Sequence, residues 1–161
     1  MPHEEYRKRM QEDDEWAPGW DAIYGEFARL YPGTQPVHYG TDFSARAILG
    51  GDEYLGGYSI YDSGKADQYI VTYGMSELYA NEEAFGAEYS RRGYEMAVKL
   101  KAERPEECLW ALCMLSNLAR YTYKSKLLFE AGDCIPGNGT SLHQGPDSSI
   151  RSARYFCPNV G

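Results

Sequence analysis

The residues able to do chemistry are few in kind and scattered along the chain. Histidines stand only at His3, His38 and His143. No HExxH, GxSxG, P-loop or GxGxxG arrangement occurs. His143 and Cys157 could be cast as parts of a zinc-deaminase site. That chemistry needs a Glu two residues after its His and a paired PCxxC. Here Gly145 lies two after His143, and Cys157 has no cysteine neighbour. Glu82-Glu83 and Glu106-Glu107 are adjacent carboxylates. Sequence neighbours do not face each other on a helix or strand, so these read as solvated charge rather than an acid/base pair. Ser76 has no nearby histidine in sequence to activate it as a nucleophile. Cys108 and Cys113 would sit about 140° apart on a helix, which suits neither a shared metal nor a disulfide. With Cys134 and Cys157 they read as free thiols. Asn138-Gly139-Thr140 is a glycosylation sequon that carries no weight without export. The sequence thus offers no catalytic set, cofactor or metal site.

The chain has 161 residues with 24 acidic and 16 basic side chains, a net charge of −8. That length can bury a core in one domain. Nucleic-acid phosphates and anionic membranes would be repelled by this field, whereas a basic protein would be steered in. No apolar run is long enough to span a bilayer, and nothing apolar follows Arg7-Lys8-Arg9 as in a signal peptide. The expectation is a soluble, cytoplasmic protein. Tyrosine is abundant, at 15 residues. Its apolar face and polar tip suit half-buried strands and recognition surfaces alike.

The elements follow from periodicity. Residues 1–15 are strongly charged and read as a tail or frayed helix. Trp20, Ile23, Tyr24, Phe27, Leu30 and Tyr31 share one helical arc, which predicts an amphipathic helix from Pro18 to Tyr31, ended by Pro32-Gly33. The region from Thr34 to Gly57 reads as loop. Tyr58 to Tyr73 predicts a hairpin around Asp62-Ser63-Gly64-Lys65, with Tyr69–Tyr73 a central strand covered on both faces. Gly93 to Lys101 alternates, with Tyr94, Met96, Val98 and Leu100 on one face. Pro105 opens a long buried helix to about Tyr123, free of charge from Cys108 to Ala119. Lys126 to Phe129 and Ile150 to Cys157 read as strands, separated by a long loop with a short Cys134-Ile135 segment. The fold class expected is α+β: a mixed, mainly antiparallel sheet packed with these two helices.

Against that frame a family pattern stands out. Tyr69-Ile70-Val71-Thr72-Tyr73-Gly74-Met75-Ser76-Glu77-Leu78-Tyr79 resembles the "yvTyGlSely" signature of suppressor of fused domains. Gly93-Tyr94-Glu95-Met96-Ala97-Val98-Lys99-Leu100 is similar to that family's "GyElt.rl" strand. Trp20-Asp21-Ala22-Ile23, Tyr31-Pro32 and Pro36-Val37-His38-Tyr39 look like its opening segment. Trp110 to Tyr121, Phe129 and Gly132-Asp133-Cys134-Ile135-Pro136 keep the expected order. The resemblance covers roughly residues 16–157 and makes 16–161 a domain of this type behind a tail of 1–15. Asp67-Gln68 stands where the family often has a histidine, and the chain ends before the last part of the family domain. That implies a truncated or divergent short member.

The resemblance implies binding rather than catalysis. Eukaryotic members sequester a transcription factor, and bacterial members commonly act as immunity proteins that neutralise a toxin. The bacterial type is the expectation here, with a basic toxin domain as partner and neither nucleic acid nor membrane. An acidic face would speed association with a basic partner. The expected binding surface is Glu77, Tyr79, Glu82, Glu83, Glu88 and Tyr89, with His143 in the long loop. The plainer reading of that stretch is a solvated connector. The rival function is a regulatory adaptor that binds a transcription factor or peptide by strand addition. A third is a zinc-dependent enzyme. Trp20, Thr72, Tyr73, Gly74, Ser76, Gly93, Tyr94 and Glu95 carry the motif and are expected to be mainly structural.

Overall fold

Alternating apolar residues on either side of a Gly-containing turn favour a hairpin, and one forms between β2 (Gly57–Asp62) and β3 (Asp67–Tyr73). The structure is a computed structural model that describes residues 1–40, 54–137, 142, 150 and 152–154. Tyr58 pairs with Thr72 and Ile60 with Ile70 in antiparallel register. Asp62 shapes the turn by accepting the Gly64 N–H at 2.8 Å, and Gly64 takes φ +70°, where a side chain would be strained. β4 (Ala97–Lys101) pairs antiparallel with β3, and β1 (Val37–Gly40) with β2. The sheet order is β1-β2-β3-β4.

The two-residue period of a strand sends alternate side chains to opposite faces. Tyr58, Ile60 and Ile70 join Met96 on one face. Tyr61, Val71 and Tyr73 line the other. Two helices cover them. Helix α2 (Pro18–Leu30) lays Trp20, Ile23 and Phe27 on the second face. Helix α3 (Leu109–Ser125) buries Ala111, Leu115 and Ala119 on the first. The sheet is therefore sandwiched, and β3 is covered on both sides as its unbroken apolar run requires. Each fully buried Ile or Leu contributes about 2 kcal/mol. The α+β class, the antiparallel sheet and both helices match expectation.

Two local expectations fail and two are made more definite. Of the two readings of the charged stretch 1–15, tail or frayed helix, the structure has a helix: His3–Glu12 form α1. The region read as loop from Thr34 holds strand β1, too short and polar to show an alternation. The long helix opens at Pro105 as expected, with Pro105–Cys108 a 3₁₀ turn that runs into the α-helix from Leu109. Lys126 to Phe129 is not a strand. Lys126 takes a left-handed φ of 59° and caps α3 through its N–H to the Thr122 carbonyl at 2.9 Å, which turns the chain away. Within the expected last strand, Ser152–Arg154 form β6, paired with β5 (Cys134–Pro136), and residues 151 and 155–157 lie outside the described residues. Gly50, Gly51, the Asn138 sequon, His143 and Cys157 lie outside the described residues.

Candidate functional site

β3 ends at Tyr73, and the chain must turn sharply there. Gly74 makes the turn at φ +116°, and a Cβ on it would lie 2.7 Å from the Gly56 nitrogen. Only glycine fits. The turn is held by one carboxylate from the approach to β4. Glu95 Oε1 accepts the Gly74 N–H at 2.9 Å, the Ser76 N–H at 2.9 Å and the Ser76 hydroxyl at 2.6 Å. Glu95 Oε2 accepts the Thr72 hydroxyl at 2.7 Å. The Gly74 carbonyl in turn accepts Tyr123 OH from α3 at 3.0 Å and Arg91 Nη1 at 3.2 Å. Trp20 of α2 stacks on Tyr73 with ring centroids 4.1 Å apart. Gly93, at φ +81°, packs against Tyr89, and Tyr94 OH meets the buried Thr122 hydroxyl at 3.2 Å. The motif residues distant in sequence thus converge on one cradle. Its chemistry is retention: the lone pairs of Glu95 are engaged by four donors, which leaves Ser76 without a free base beside it.

The segment after the cradle is the expected partner surface. Leu78 is buried, and its carbonyl accepts the Gly19 N–H at 3.1 Å. The approach is so close that a Cβ on Gly19 would fall 2.0 Å from the Glu77 oxygen. Tyr79 and Tyr89 are 59% and 61% exposed and available for contact. Glu83 and Glu88 are exposed as expected. Glu77 lies 3.6 Å from Arg91 in a loose ion pair. Glu82 departs from the solvated-charge reading: it accepts Arg7 Nε from α1 at 2.7 Å, with Arg7 Nη2 also on the same oxygen. An open pocket of about 310 Å³ lies here, lined by Tyr6, Gly19, Glu77, Tyr79, Phe85 and Ser90 among others. The surface is assembled from α1, the start of α2 and the 77–90 segment together.

Sequence reasoning missed the contribution of α1. Its signal was present: His3, Tyr6, Arg7 and Met10 recur at helical spacing. It also missed a second exposed apolar area at the end of α3, where Tyr121, Leu127 and Leu128 are exposed and Tyr121 stacks on Phe129 at 5.5 Å. His38 on β1 meets the buried Ser59 hydroxyl through Nδ1 at 3.2 Å and packs edge-on with Trp20, ring centroids 4.7 Å apart, and burial holds its pKa below the ordinary histidine value. At the margin of the α2-covered face, where Tyr69 packs against Tyr31, hydrogen bonding to the Lys99 ammonium lowers the Tyr69 pKa. Cys108, Cys113 and Cys134 are free thiols. Among the described residues no group of three His, Cys, Asp or Glu side chains is placed to hold a metal. No helix among them is long and apolar enough to cross a membrane.

Comparison with known proteins agrees with the motif. The family described as Suppressor of fused protein (SUFU) matches residues 51–158. The Suppressor of fused homolog of Homo sapiens is 32% identical over 130 residues, covering 73% of this chain and 27% of that protein. The Mus musculus homolog is 33% identical over the same length and coverage. This chain belongs to the suppressor of fused family, and it spans about a quarter of the length of these relatives. Both relatives are mammalian, and a bacterial type finds no support in them.

Proposed function

We propose that this suppressor of fused family member is a non-catalytic, regulatory protein-binding module that sequesters a partner, a transcription factor or a peptide, by strand addition. The observation that carries this reading is the edge of β1. β1 is a terminal strand with no partner on its outer side among the described residues. Val37 on it is 44% exposed, and the strand bears no Lys, Arg, Asp or Glu. The opposite edge differs. β4 exposes Lys99 and Lys101, the kind of charged guard that keeps other strands away. An unguarded edge offers backbone N–H and C=O groups to an extended segment, and the neighbouring side chains set specificity.

The immunity reading is supported by charge alone. A net −8 with an acidic, tyrosine-bearing 77–90 segment suits a basic toxin domain and disfavours nucleic acid and membrane. A cytoplasmic setting fits both readings. They differ in how binding responds to salt and to the edge. Extended peptides selected on the chain from a displayed library should lose binding to Val37→Lys and change little with ionic strength. Binding that survives Val37→Lys but slows steeply as salt rises favours steered docking on the acidic surface instead. Stoichiometric zinc in the purified chain would point to the enzyme reading.

A further inference from the structure

A ten-residue helix is marginal in water by itself. Helix α1 buries no residue, yet it is ordered on the rest of the molecule. What orders it is a single strip of one face. His3 stacks on Phe85 at 4.8 Å, and Tyr6 packs between Trp16 at 4.9 Å and Phe85 at 4.7 Å. The Tyr6 hydroxyl accepts the Asn81 N–H at 2.8 Å. Arg7 is bound to Glu82 through both Nε and Nη2. Each partner in the receiving surface comes from Trp16 or the 81–85 turn. Trp16 is fixed from below, its carbonyl accepting the Ala80 N–H at 3.0 Å.

We propose that Trp16, Asn81, Glu82 and Phe85 form a helix-docking surface, and that α1 is its occupant in cis, standing where a partner helix of the same chemistry would bind. That partner carries an aromatic residue followed directly by arginine, with a second ring one turn earlier. The chemistry is read from the occupant already seated: an aromatic hydroxyl for the Asn81 amide, a guanidinium for the Glu82 carboxylate and a flat ring for Phe85. α1 competes through the high local concentration of a tethered segment rather than through burial. This surface is distinct from the β1 edge, so failure at either one leaves the other untouched.

The test uses the full chain and a fluorescein-labelled peptide of residues 1–15, read by anisotropy. In wild type the docked α1 excludes the peptide. Tyr6→Ala in the chain weakens the cis occupant, and the natural peptide should then bind at least about tenfold more tightly than to wild type. Glu82→Arg repels Arg7 of the chain's own α1. That variant should take up a peptide carrying Arg7→Glu and refuse the natural one. Both changed side chains lie outside the core, so folding is preserved. If wild type binds the natural peptide as well as the Tyr6→Ala chain does, α1 is not a competitor and the proposal fails. It fails equally if neither variant prefers its matched peptide.

Discussion

Two carboxylates in this molecule hold together segments far apart in sequence, and they do so with opposite consequences. Glu95 reaches into a part-buried turn and takes four donors from Thr72, Gly74 and Ser76. Glu82 sits at the surface and takes one arginine from α1. In the first case the donors include backbone N–H groups that lose much of their access to water. In the second the guanidinium and carboxylate are both well solvated, and water replaces either partner at little cost. Similar bonds therefore make a permanent joint in one place and a releasable one in the other. The difference between a structural motif and an interaction surface here is burial, not residue type.

The most severe way to break that comparison is to remove the buried carboxylate. Glu95→Ala strands the Gly74 and Ser76 amides and the Ser76 hydroxyl at the turn after β3, while the Thr72 hydroxyl keeps the Met96 carbonyl at 3.3 Å. We expect a loss of about 3 kcal/mol in urea denaturation, since each stranded buried donor costs about 1–3 kcal/mol and some will find water. A loss below about 1 kcal/mol would mean that the cradle is as replaceable as a surface pair, and the contrast would collapse.

Much of the cradle was legible in the sequence. Thr72, Gly74, Ser76 and Glu95 stood out through their resemblance to the family motifs, and the bonds that join them across about twenty residues have no periodicity to announce them. β2, β3 and β4 were legible because apolar residues repeat with the pleat. β1 was not, because Val37-His38-Tyr39-Gly40 is four residues at an edge with little buried face to reveal a period. Lys126-Leu127-Leu128-Phe129 misled for the converse reason. Its side chains favour a strand, but Lys126 follows a long helix and takes the left-handed cap, and Leu127 and Leu128 end up exposed. The docking of α1 was obscured by charge. Residues 1–15 look like solvated tail until Tyr6 and Arg7 find Phe85 and Glu82 in the folded chain.

Between the two extremes lies His38 at the β1 edge, partly buried against Trp20 and hydrogen-bonded to Ser59. Burial keeps its folded pKa below the ordinary value of about 6.5. As pH falls, the unfolded chain takes up this proton first, so it binds more protons than the folded chain in the window between the two values. Stability contributed here is full above the ordinary value, declines as pH drops through the window and levels off below the folded value. His38→Gln should flatten that part of the curve. The check is the difference in urea midpoint between wild type and variant from about pH 8 to about pH 5. A wild-type curve parallel to that of His38→Gln would place the imidazole in open water.

The smallest effect on global stability should come from Arg7→Ala, and it sharpens the comparison most. The pair with Glu82 is exposed, so its loss should cost under about 1 kcal/mol, and the urea midpoint should barely move. Local order is another matter. α1 buries nothing, so its attachment rests on a few contacts, and removing one shifts its docked fraction directly. Limited trypsin digestion should then cut at Lys8 or Arg9 about fivefold faster, because about 1 kcal/mol of docking energy corresponds to that change in the exposed population. The remainder of the chain should resist as in wild type. Glu95→Ala should behave differently, with cleavage spreading through the whole molecule. If Arg7→Ala instead lowered the urea midpoint as far as Glu95→Ala does, α1 would belong to the cooperative core, and a helix inseparable from the core could not serve as an exchangeable occupant.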